Sequence, residues 1–224
     1  MNDDNNKYEG VMGNFSTPFA FYFNDNLTAG LKDYILEQSV DGIESGVATS
    51  IKHGIIESDF NLVNKNDSRI KDVFNWISDK ICMTVNTVNG KQDCLQVGIL
   101  DSWYHITKTN GMHNAHIHTG CSWCGIYYVD AGDEGSGGET VFINPIVSTF
   151  KDVGTNYYSN MAQLHITPQQ GKLILFPSYL THYQSPYTGS KDRIVIAFNS
   201  TVRIADTDKG PTFSTYKFDW DKTE

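Results

Sequence analysis

The sequence predicts a single, mainly β domain with two helices ahead of a strand-rich second half. Three observations carry that reading. The chain has 224 residues, enough for one domain with a sizeable core. Hydrophobic residues make up 39% and aromatic residues 12% of it, with twelve Tyr and twelve Phe, a composition suited to strands. Apolar runs of strand length recur at 94–107, 125–129, 140–143, 172–176 and 194–198.

Taken in order, the polar residues 1–14 read as a flexible lead-in. Residues 15–23 (FSTPFAFYF) are aromatic and apolar, and Pro18 assigns them to a sheet edge. Asp25 or Asn26 caps a helix reaching about Ser39, with Leu27, Leu31, Tyr34 and Ile35 on one face. Residues 42–59 hold Gly42, Gly46 and Gly54 among small and β-branched residues, an irregular or short-strand segment in which His53 is structural. A second helix spans 68–85, its stripe formed by Ile70, Val73, Phe74, Ile77 and Ile81, and Asn89-Gly90 ends the segment in a turn. Residues 94–107 alternate as a strand closing on Trp103-Tyr104-His105-Ile106. The chain then passes through residues 108–111 into a histidine-rich stretch, with His105 expected at the surface and His113 beside the site.

Beyond a strand over 125–129, the run 130–139 is an acidic, glycine-rich loop, and residues 140–143 return as a strand. Residues 146–164 show no period, and an irregular loop of this length suits a lid over the barrel mouth. A turn over 167–171 leads into the strand 172–176, and a last strand covers 194–198. The aromatic, polar tail either packs across the sheet or against a second copy, which leaves a homodimer open.

A net charge of −9 without a basic run argues against nucleic acid as a partner. No stretch approaches ~20 apolar residues, and the start lacks the order of a signal peptide, so the expected location is cytoplasmic. Four cysteines, Cys82, Cys94, Cys121 and Cys124, are too few and too scattered for a disulfide scaffold. Cys121 and Cys124 form a Cys-x-x-Cys, but zinc normally needs a second pair, and a strand rather than a helix follows. They read as two residues lining a turn and a strand.

The chemistry is concentrated in residues 110–129, NGMHNAHIHTGCSWCGIYYV. On an extended segment residues i and i+2 share a face, so His116 and His118 can aim two imidazoles at one point. A metal needs a ligand from elsewhere, and the best candidate is His182, just past the strand that ends at Pro177. Arg193 opens the next strand, which would place a cation behind the metal, an arrangement that suits a dicarboxylate.

The segments HIHTGCSWCGIYYVDAG, GGETVFINP and PQQGKLILFPSYLTHYQSPYTGSKDRIVIAFN are similar to the iron(II)- and 2-oxoglutarate-dependent oxygenases, in particular a bacterial and phage branch related to the prolyl hydroxylases. The resemblance covers about residues 103–199. It implies a double-stranded β-helix, or jelly roll, with the N-terminal helices packed on one sheet. A single domain would then fill 1–224, its catalytic core at 95–200. It further implies Fe(II) and 2-oxoglutarate as cofactors with O2 as co-substrate, and hydroxylation of a peptide, a protein or an amino-acid-like small molecule. Carried over residue by residue, His116 and His182 fall on the iron histidines. Arg193 falls on the partner of the distal 2-oxoglutarate carboxylate and Tyr128 on a tyrosine that hydrogen-bonds it; Tyr104 matches no family residue and is a candidate only because its strand, leading into the histidine stretch, would bring it within reach of the co-substrate.

One position departs from the superfamily. Where most members carry Asp or Glu two residues after the first histidine, this chain has His118. Three readings stay open: His118 is the third ligand; or the motif shifts to His118 with Gly120 in the acid's place, leaving a vacant site as in halogenases; or His118 stands behind the ligands and water fills the site. Two other classes compete with an oxygenase. One is a cupin-like protein using the three histidines for another metal without 2-oxoglutarate, and the other is a structural module without chemistry. Arg193 discriminates, since a cupin has no use for a cation there.

Overall fold

The computed structural model describes residues 17–39, 43–44, 52–92, 94–145 and 162–204. The expected lead-in, the greater part of the expected lid and the tail beyond Ile204 lie outside them. The second helix, α2, Ser68–Asn89, starts where the Asp67 carboxylate accepts from the Arg69 N–H and stops at Gly90, whose left-handed φ of 67° turns the chain. It runs one turn past the expected end, because Asn89-Gly90 acts as its C-cap. The first helix, α1, Thr28–Gln38, follows a 3-10 turn at Asp25–Leu27 that Asn24 caps; the N-cap of α1 itself is Leu27, without a side-chain cap bond, rather than Asp25 or Asn26. The apolar stripe of α2 is buried as its spacing requires: Ile70, Val73, Ile77 and Ile81 are all 0% exposed. Each contributes about 1.5–3 kcal/mol relative to exposure.

Among the described residues, ten strands accompany the helices: β1 Ala20–Phe23, β2 Ile43–Glu44, β3 Lys52–Glu57, β4 Cys94–His116, β5 Trp123–Asp130, β6 Thr140–Ile143, β7 Gln163–Ile166, β8 Lys172–Pro177, β9 His182–Tyr187 and β10 Arg193–Ile204. The order β1-β8-β5-β10-β4-β9-β6-β7 is antiparallel throughout, with β3 pairing β4 on the side and β2 pairing β3. β1 lies at the sheet edge, as Pro18 predicts. The chain is mainly β, a curled antiparallel jelly roll.

The two halves of the roll are one sheet, because β4 runs through both. Its first part pairs β10, from Thr107↔Arg193 back to Cys94↔Ile204, and its last part pairs β9, from Gly111↔Tyr187 to His116↔His182. Residues 108–111, which join the two parts, form a bend inside a strand, marked by Asn110 at φ 64° and by register shifts on either side of His113.

The two-residue period of the strands separates two cores. Tyr104, Ile106, Tyr127, Val129, Leu173, Leu175, Ile194, Ile196 and Phe198 pack with the helices. Cys124, Tyr128, Phe142, Ile174, Phe176 and Val195 face inward between the halves of the roll. Among the described residues no helix is long and apolar enough to cross a membrane.

The cysteines correct one expectation. Cys82 on α2 and Cys94 at the head of β4 form a disulfide with Cα atoms 5.4 Å apart, tying helix to sheet across twelve residues of sequence, while Cys121 and Cys124 are free. Replacing Cys82 and Cys94 together by Ser should lower the unfolding free energy by about 2–4 kcal/mol, the usual range for a loop of this size. Urea titration reads it as a lower midpoint at constant slope; an unmoved midpoint would show that the bridge does not form in solution.

Candidate active site

Register places the site. Two cross-strand rows run over β4, β9 and β6: His116, His182 and Phe142 are successive partners in one, and His113, Gln184 and Thr140 in the next. His118, just beyond the end of β4, is fixed by its backbone N–H donating to Ser178 O at 3.2 Å. The ligand atoms of His116, His118 and His182 all lie within 4.8 Å of one another, and the ring centroids are 4.3 Å (116–182), 5.1 Å (116–118) and 5.2 Å (118–182) apart. Metal–nitrogen bonds of about 2.1 Å span at most about 4.2 Å between two ligands, so small side-chain rotations close the set on one ion.

Two rings are held in the tautomer a metal needs. His116 Nδ1 donates to Asn114 O at 2.8 Å and His182 Nδ1 to Leu180 O at 2.9 Å. A carbonyl only accepts, so each Nδ1 carries the proton and each Nε2 keeps its lone pair free. Burial keeps the imidazoles neutral: desolvation, with His116 nearby, lowers His182 to about 3 and His118 to about 4, and desolvation lowers His116 as well.

A sign follows for stability. These groups titrate well below the 6.5 of an unfolded histidine, so the unfolded chain binds more protons between pH 6.5 and about 4. Stability is full above pH 6.5 and falls with acid through that window. The metal-free protein should show lower urea midpoints at pH 5 than at pH 7, and equal midpoints would contradict the burial of the three rings.

Arg193 lies behind the histidines, 1% exposed at the head of β10. Its Nη1 donates to Gln184 Oε1 at 2.8 Å, and its guanidinium stands 5.1 Å over the Tyr128 ring. Gln184 Oε1 also receives Thr107 Oγ1 at 3.2 Å, and Tyr128 Oη pairs with Thr140 Oγ1 at 2.6 Å. Arg193 Nε is buried without a hydrogen-bond partner. An orphaned guanidinium nitrogen costs free energy until an acceptor arrives, and a carboxylate answers both that N–H and the buried charge. His105, His113 and Trp103 complete the cleft above this pocket, with Phe176 and Val195 as apolar walls.

The structure thus brings His116, His118, His182, Arg193 and Tyr128 into one region. It does not bring Tyr104 there. Tyr104 alternates with Trp103 and His105 along β4, so when those two face the cleft it faces the helices, 3% exposed in the other core. His105 is likewise not a surface residue: it is 6% exposed, and its Nε2 meets Glu57 Oε2 at 2.5 Å. His113 stacks on His116 with centroids 4.0 Å apart. Gln184, Thr140, Trp103 and Glu57 were not legible as site residues, although Gln184 and Trp103 stand two residues from His182 and His105, on the same strand faces.

Comparison with known proteins agrees with the geometry. Residues 101–199 match the family model described as "Putative 2OG-Fe(II) oxygenase". Among solved structures, a prolyl-4-hydroxylase of Pseudomonas putida superposes with a TM-score of 0.58 at 10% identity, covering 84% of this chain and 93% of its own. HygX of Streptomyces hygroscopicus, with nickel and 2-oxoglutarate bound, gives 0.54 at 13%, covering 88% and 84%. An oxidoreductase of the 2OG-Fe(II) oxygenase family from Burkholderia pseudomallei gives 0.53 at 11%, covering 82% and 84%. No curated protein matches the sequence.

Proposed function

We propose that this chain, whose residues 101–199 match the model of the 2OG-Fe(II) oxygenases, is an oxygenase of that kind and hydroxylates a peptide, protein or amino-acid-like substrate at the His116–His118–His182 centre. The observation that carries the proposal is the buried, partnerless Nε of Arg193 in the same cleft as a three-histidine cluster. A metal-only, cupin-like site would leave that cation without a purpose.

The residues fit both cofactors. His116 and His182 offer Nε2 from rings already oriented by backbone carbonyls, and His118 closes the set. Arg193, whose Nε is unpartnered while Gln184 holds the other side of its fork, would hold the distal carboxylate of 2-oxoglutarate, with the Tyr128 and Thr140 hydroxyls close by. Iron and 2-oxoglutarate together supply the oxidation, in which 2-oxoglutarate, O2 and a substrate C–H give succinate, CO2 and a C–OH. The protein contributes position and dryness: Ile126, Phe176 and Val195 line the cavity with apolar surface, which would strengthen the grip of Arg193 on an anion. The likeness to prolyl hydroxylases supports a peptide substrate, and HygX, solved with hygromycin B bound as well, is a neighbour that takes a small molecule.

The deciding experiment gives the anaerobic protein Fe(II) and 2-oxoglutarate, admits O2 and measures succinate. Slow formation of succinate dependent on both additions is expected, and none, together with no binding of 2-oxoglutarate, would end the oxygenase reading. His118 has its own test. With His118→Asp, two histidines and a carboxylate remain, and Fe(II) and 2-oxoglutarate binding should persist. His118→Gly removes a ligand and should weaken Fe(II) unless azide or chloride is supplied. Unchanged Fe(II) affinity in the Gly variant without added anion would show that His118 is not a ligand.

A further inference from the structure

The wall of the cleft next to His118 holds a hydrogen-bond conflict. His105 Nε2 lies 3.1 Å from Trp103 Nε1 and 2.5 Å from Glu57 Oε2. An imidazole nitrogen either carries a hydrogen or offers a lone pair, so it cannot donate to the carboxylate and accept from the indole at once. Glu57 decides which. Its Oε2 also receives Lys52 Nζ. Burial opposes its ionisation, but the contacts with His105 and Lys52 outweigh burial and hold its carboxyl below the usual range. An ionised carboxylate requires a hydrogen from Nε2. The indole N–H of Trp103 is then left over.

That N–H is not in a position where water satisfies it by default. Trp103 is 6% exposed, its ring packs 5.0 Å from Phe60 and 5.9 Å from His118, and it lines the same cleft as the histidine cluster. A buried indole N–H seeks an acceptor. We propose that Trp103 anchors the substrate: its N–H, freed by the Glu57–His105 pair, donates to a carbonyl-type oxygen of the substrate held on the wall beside His118. Lys52, Glu57 and His105 are positioning residues in this arrangement, since they touch Trp103 or each other and fix which nitrogen bears the proton. The inference rests on the oxygenase reading for the identity of the cleft, while its test does not require turnover.

The full chain, loaded with diamagnetic Zn(II) and 2-oxoglutarate and labelled with 15N, is titrated with two probes: N-acetylalanine N-methylamide, which offers amide carbonyls, and acetate, which offers a carboxylate. The Trp103 indole resonance, assigned by its absence in Trp103→Phe, should move downfield and saturate with at least one probe, and the His105 spectrum should show the proton on Nε2. The arm that responds tells a peptide carbonyl from a free carboxylate. Trp103→Phe should bind that probe about twofold to tenfold more weakly, the range of one neutral hydrogen bond, with Zn(II) and 2-oxoglutarate affinities unchanged. An indole resonance unmoved by either probe, a proton found on Nδ1 of His105, or equal probe affinity in the Phe variant would overturn the proposal. Failure of 2-oxoglutarate to bind would instead count against the oxygenase reading, so the two failures are separable.

Discussion

Replacing His182 with alanine should abolish stoichiometric Fe(II) binding in an anaerobic titration. The side chain is 4% exposed, its Nδ1 is tied to Leu180 O, and it supplies the one ligand of the cluster that comes from β9. His116 and His118 alone would leave two neutral imidazoles from alternate positions of one segment. Removing partners behind metal ligands already costs about 10–100-fold in affinity, so losing a ligand should exceed that. His165→Ala is the control: His165 is exposed and pairs with Glu139 away from the cluster, so its loss should leave binding intact. Full binding retained by the His182 variant would refute its assignment as a ligand.

Arg193→Ala should weaken 2-oxoglutarate by roughly tenfold to several hundredfold while iron stays in place, given about 1.5–3 kcal/mol for each hydrogen bond to a charged group. Desolvation lowers the pKa of the guanidinium, so the free protein keeps a cation in an unfavourable setting that an anion relieves. A second readout follows: 2-oxoglutarate should raise the melting temperature of the wild-type protein and not that of the variant. Arg193→Lys, with a point charge in place of a fork, should fall between them. If 2-oxoglutarate affinity is the same in all three, the metal-only alternative gains the weight that Arg193 now denies it.

What the sequence made legible is what depends on short range. The i, i+2 spacing of His116 and His118, the stripe of α2 and the strand ahead of Pro177 follow from local periodicity, and the structure holds each of them. The misses depend on distant partners. Tyr104 and Trp103 are equally plausible site residues until the helices decide which face of β4 is the outer one. His105 reads as exposed because its partner, Glu57, lies 48 residues back on β3. The strand expected over 94–107 runs on to His116, because pairing with β9 and β3 keeps the chain extended on both sides of the bend at Asn110. The bridge between Cys82 and Cys94 joins a helix to a strand, and no spacing rule announces it.

The bend of β4 carries one consequence for the cleft as a whole. At that point Gly111 lies against Gly54 of β3 with no room for a side chain: a Cβ on Gly111 would stand 2.5 Å from Thr107 Cγ2 and 2.6 Å from Gly54 O, and one on Gly54 would stand 2.9 Å from Gly111 Cα. The kink angle is therefore set by main chain touching main chain, which no rotamer change can relax. Thr107, the strand partner of Arg193, lies before the kink and His116 after it. On the proposed reading, the span from Arg193 to the histidine cluster would be a ruler cut into the backbone, and two glycines outside the cleft would set the length of dicarboxylate that bridges it.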